Sequence, residues 1–107
     1  MATSALLKVT PVAAARIAQM GLQSEIDRMI DYARQNLSEI THIEVNLYDR
    51  YEMGEEPSLA IEAYSSRPFD PTDHAEAALD RWMISEFPAE VLEHVLMTYR
   101  LGVVNAG

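Results

Sequence analysis

The sequence predicts an α+β domain: a three-stranded antiparallel sheet, strand order 2-1-3, covered on one face by helices, with elements running α-β-β-α-β. Three observations lead there. Apolar residues recur at three- and four-residue steps from Leu22 to Leu37, as on one face of a helix. Around Ile43 and Leu59 the period drops to two, as in a strand with one buried face. A second helical run, ending near Pro88, then gives way to another alternating stretch.

Thr10-Pro11 reads as a helix start, with threonine as N-cap and proline in the first turn. The helix runs from about 11 to 37. It falls into two pieces where Gly21 interrupts the alanine-rich stretch Val12–Met20. Ile43, Val45 and Leu47 then alternate with His42, Glu44, Asn46 and Tyr48. After a polar loop, Asp49–Pro57, the residues Leu59, Ile61 and Ala63 alternate with Ala60, Glu62 and Tyr64, which implies an antiparallel hairpin. Pro68 and Pro71 break the chain. A helix with Ala75, Ala78, Leu79, Trp82 and Met83 on its apolar side follows, with Asp70 or Asp73 as its cap. Trp82 is expected in the core, packed on the sheet. Residues 88–93 read as a turn and 94–101 as the third strand, because a lone hairpin is marginal and a third strand gives the sheet a lasting apolar face. Placing the first strand centrally lets a right-handed crossover skip one position.

The 107 residues fit a single domain, 1–107, with tails expected at 1–10 and 103–107. With eight basic and 17 acidic residues the net charge is −9. The few Lys and Arg are scattered, which argues against nucleic acid and against anionic membranes. No apolar run approaches a membrane span, no secretory signal is legible at the start, and cysteine is absent. A cytoplasmic location follows as the expectation.

The sheet face opposite the helices is the most informative surface. It should carry His42, Glu44, Asn46, Tyr48, Glu62, Tyr64, Leu96, Thr98 and Arg100. Tyrosine and arginine are common interface anchors, and the same pairs also stabilise a plain solvated sheet. His42, Glu44, Tyr48, Glu62, Tyr64 and Arg100 are therefore the interface candidates, for a protein partner or a second copy of the chain. Asp70, Asp73 and His74 read as helix-capping groups. Glu52, Glu55 and Glu56 lack the ligand spacing of a calcium loop. Glu86, Glu90 and Glu93 read as solvated charge, and His94 has no assigned partner.

No nucleophile elbow, phosphate loop, dinucleotide fingerprint or zinc-protease motif is present, and four glycines leave little for a phosphate cradle. No catalytic residue, metal ligand or cofactor is assigned. The leading expectation is a non-enzymatic interaction domain, an acidic neutraliser of a basic partner. Two alternatives stand beside it. One is a ligand-binding or sensor domain with a pocket near Tyr64, Trp82 and Tyr99. The other is a small enzyme using His42, Glu44 and Arg100, which would have to converge in one cleft.

From Glu25 to Leu101 the chain resembles a loosely defined group of small uncharacterised bacterial proteins. The resemblance lies in Ile43-Glu44-Val45-Asn46-Leu47, Leu59-Ala60-Ile61-Glu62-Ala63-Tyr64, Trp82 and Pro88-Ala89-Glu90-Val91. It implies the α-β-β-α-β order with a final strand, and an antitoxin-like role as the non-toxic member of a two-gene pair. No site residue carries over with it, and Pro11–Met20 lies outside its pattern.

Overall fold

The computed structural model describes residues 6–37, 39–48, 57–68, 72 and 74–101. Four strands and four helices alternate in the order β1 (Leu6–Val9), α1 (Pro11–Met20), α2 (Gln23–Asn36), β2 (Ile40–Tyr48), β3 (Ser58–Ser65), α3 (Ala75–Glu86), α4 (Ala89–Leu92) and β4 (Val95–Arg100). The sheet order is β1-β2-β3-β4. β1 runs parallel to β2, β2 antiparallel to β3, and β3 parallel to β4.

The class is α+β as expected, and three details of the sheet differ. The sheet is mixed and four-stranded rather than antiparallel and three-stranded. The final strand lies beside β3, not beside β2, so the hairpin strands and β4 follow one another in chain order. The helical connection α3–α4 joins two neighbouring parallel strands, the connection such crossovers make most directly. The place beside β2 is filled by β1, which lies in the stretch expected to be a tail. β1 escaped the pattern because all four of its residues are exposed, so no buried alternation marks it. The expected tail at 103–107 and the expected loop at 49–57, apart from Pro57, lie outside the described residues.

The long helix divides as the sequence suggests. Thr10 is extended (ψ 151°) and its hydroxyl accepts the Ala13 N–H at 3.3 Å, with Pro11 opening the helix. Gly21 ends α1 in the left-handed region (φ 68°). There the Gly21 N–H reaches the Ala18 carbonyl and the Leu22 N–H the Ile17 carbonyl, a Schellman closure. The turn re-aims the chain, so α1 and α2 both lie on one side of the sheet.

That side holds the core. Ile17, Ile26, Met29, Leu79 and Met83 from the helices meet Ile43, Val45, Leu59, Ile61, Ala63, Val95, Met97 and Tyr99 from the sheet. Burying each large aliphatic side chain contributes about 1.5–3 kcal/mol. Trp82 packs against the core from its rim. It lies half-buried between helices, stacked on Tyr32 of α2 at 4.1 Å between ring centroids, with Phe87 edge-on at 5.3 Å. Residues 88–93, expected as a turn, form the single-turn helix α4 and its cap, and β4 follows within a residue of the expected start.

Candidate functional site

Every described helix packs on one side, so among the described residues no helix covers the other face of the sheet, and register decides what it displays. One row across the sheet reads Leu6, His42, Tyr64, Arg100, and the next reads Lys8, Glu44, Glu62, Thr98. All the candidate interface residues fall on this face. Five of them form one connected cluster, and Tyr48 stands apart at the far end of β2, 56% exposed.

Tyr64 is the hub. Its ring stacks on His42 at 4.3 Å and 9°. On its other side the Arg100 guanidinium carbon lies 6.0 Å from the ring centroid. The phenol hydroxyl donates to Glu62 Oε2. Arg100 Nε reaches the same carboxylate oxygen at 3.1 Å. His42 Nε2 stands 4.0 Å from Glu44 Oε2, and His42 Nδ1 is 3.0 Å from the Thr41 hydroxyl. The Tyr64 pKa is pushed above the usual phenol value of 10, first by its hydrogen bond to Glu62, then by burial, and further by the Glu62 and Glu44 carboxylates. Two glutamates directly opposite each other on adjacent strands repel. Here the phenol hydrogen and the Arg100 guanidinium meet that charge.

His42, Glu44 and Arg100 are brought into one row-pair but not into a cleft. His42 and Glu44 stand on β2 and Arg100 on β4, with β3 between them, and Arg100 is engaged by Glu62 rather than joining His42 and Glu44. Nor do Tyr64, Trp82 and Tyr99 line a common pocket. Tyr64 is on the bare face, Tyr99 is buried on the opposite one, and Trp82 lies between helices. A shallow groove of about 370 Å³ does open between α2 and α3, lined by Arg28, Asp31, Tyr32, Gln35, Trp82 and Glu86. Its one cation near α3 is already committed, because Arg28 pairs with Glu86 and lies 4.7 Å over Phe87.

His74 is the residue before α3 and makes no side-chain cap bond there, while Asp70 and Asp73 lie outside the described residues, as do Glu52, Glu55 and Glu56. Glu90 and Glu93 are exposed, and the His94 carbonyl accepts the Leu59 N–H at 2.7 Å, tying the entry of β4 to β3. Among the described residues no group of three or more His, Asp or Glu is placed to hold a metal ion. Among them, too, no helix is long and apolar enough to cross a membrane. Sequence reasoning missed Leu6 and Lys8, which join the face only through β1. Their apolar-basic-apolar run, Leu6-Leu7-Lys8-Val9, was the available signal.

No family model matches the chain, and neither does any curated protein or any solved structure.

Proposed function

We propose that this chain is a protein-interaction domain that docks through the helix-free face of its sheet and performs no chemistry there. The observation that carries the reading is the Tyr64 cluster, in which His42, Glu62 and Arg100 are already held in place by one another. Anchors ordered before contact lose less side-chain freedom on binding. Tyr48 and Leu96, about half exposed at 56% and 50%, supply apolar anchors around them. The same bonds argue against catalysis. A phenol whose pKa is raised is a poor base or nucleophile, and Arg100 spends its guanidinium on Glu62. The face is itself charge-balanced, so the chain's −9 would steer a basic partner from a distance rather than grip it at the contact. An antitoxin-like neutraliser fits that arrangement.

The test compares captures by the full chain and three variants from native lysate of the source cells. The reading expects one protein retained by wild type and by Asp80→Lys on exposed α3, and lost by Tyr64→Ala and Arg100→Glu. Retention by all four, with folding intact, or loss only with Asp80→Lys, would move the docking surface elsewhere.

A further inference from the structure

We propose that the groove between α2 and α3 binds a small organic cation with a flat amidinium or guanidinium head, held by the Asp31 carboxylate beside the Tyr32–Trp82 stack. The groove lies among the helices, across the sheet from the Tyr64 cluster. This site and the docking face therefore stand or fall independently.

The groove has the size and the wall for such a ligand. Its volume of about 370 Å³ falls near the lower end of small-molecule sites. Two rings from different helices form its aromatic part. Tyr32 and Trp82 stack at 4.1 Å between centroids, yet each stays part-exposed and lines the groove. Phe87, itself buried, meets Trp82 edge-on at 5.3 Å and fixes the indole from the core side. Aromatic surface ordered before contact suits a flat ring or a cation, and it costs little side-chain freedom on binding.

The hydrogen-bonding and charged groups select the cation. Among the described residues, the charged side chains lining the groove are Arg28, Asp31 and Glu86. Arg28 pairs with Glu86, and its guanidinium lies 4.7 Å over Phe87, so these two charges answer each other. Asp31 is left over. Among the described residues it pairs with no cation and accepts no hydrogen bond. Asn36 donates its amide N–H to the Tyr32 carbonyl at 3.1 Å, which keeps the Asn36 side-chain carbonyl as an acceptor. An anion would meet two carboxylates with the guanidinium already engaged. A neutral ring would leave Asp31 to water. A planar cation offers two parallel N–H groups to a carboxylate and also stacks on an aromatic wall, which a compact ammonium cannot do. The chain's −9 attracts cations of every shape, whereas Asp31 beside the two rings discriminates among them.

The fluorescence of the full chain tests the site directly, because Trp82 is its only tryptophan. Benzamidine, benzamide and benzoate share one shape and are a cation, a neutral molecule and an anion. Benzamidine should change the Trp82 emission saturably, and benzamide and benzoate should not. Agmatine should compete with benzamidine, and tetramethylammonium should not. Asp31→Asn, with an unchanged circular dichroism spectrum, should weaken benzamidine binding by at least ~10-fold. Asp80→Asn makes the same change in net charge at an exposed α3 position outside the groove and should leave binding as in wild type, as should Tyr64→Ala. No saturable change up to about 10 mM benzamidine overturns the proposal. So does an equal response to all three compounds. Equal weakening by Asp31→Asn and Asp80→Asn would assign the attraction to the chain's overall charge and overturn it too.

Discussion

Tyr64 shows how much one residue's surroundings can decide. Its hydroxyl serves the Glu62 carboxylate only while protonated. The folded-state pKa is raised, so the contribution is fully present below the unfolded phenol's pKa of 10 and is lost as pH climbs beyond it toward the folded value. Stability measured by urea denaturation should therefore fall between neutral pH and pH about 11. Tyr64→Phe should lose part of that dependence and be less stable at neutral pH by about 0.5–1.5 kcal/mol, the net worth of an ordinary hydrogen bond. Equal pH slopes for the two proteins would rule out Tyr64 as the source. That Tyr64 and Glu62 share a face was readable from period-two alternation. That Glu62 would meet both Tyr64 and Arg100 was not, because it depends on which strand lies beside β3.

At the scale of elements, the legible parts were those with local causes. Thr10-Pro11 opens α1, Gly21 closes it, and the alternation from Ile43 and from Leu59 marks β2 and β3, all from neighbouring residues alone. β1 has no such signature, since an edge strand with exposed side chains buries neither face. The strand order differs because the α3–α4 crossover skips no position: β4 pairs directly with β3, and β1 takes the place beside β2. The apolar stripe of α3 marks Trp82 as covered but does not name Tyr32 as the ring that stacks on it. The Gly21 turn allows a sharp check. A Cβ added there would meet nothing within 4 Å, so the whole penalty of Gly21→Ala lies in the left-handed backbone. The loss should be about 1–2 kcal/mol, with Gly21→Asn milder. A neutral alanine variant in thermal denaturation would mean the turn relaxes to another conformation.

For the whole molecule, the described residues of the helix-free face balance in charge. Lys8 and Arg100 balance Glu44 and Glu62 on the bare face, leaving the net −9 to the rest of the chain. Composition alone revealed the excess. Its placement needed the topology, because only the sheet brings residues so far apart in sequence onto one surface.

The topology also divides the molecule into two β-α-α-β halves joined at the β2–β3 hairpin. Leu6 meets His42 and Leu59 meets Val95, partners the same distance apart along the chain. The hairpin closes a short loop, while each flanking strand is added only after a long segment with two helices has been looped back, a costlier step in chain entropy. A kinetic hierarchy follows: the centre assembles first and the two margins zip on afterwards. In dilute samples under mild urea, the Val45 and Ile61 amides should exchange only through global unfolding, and the Lys8 amide through a smaller opening. If Lys8 exchanges as slowly as Ile61, the sheet assembles as a single cooperative unit, and its margins are as durable as its middle.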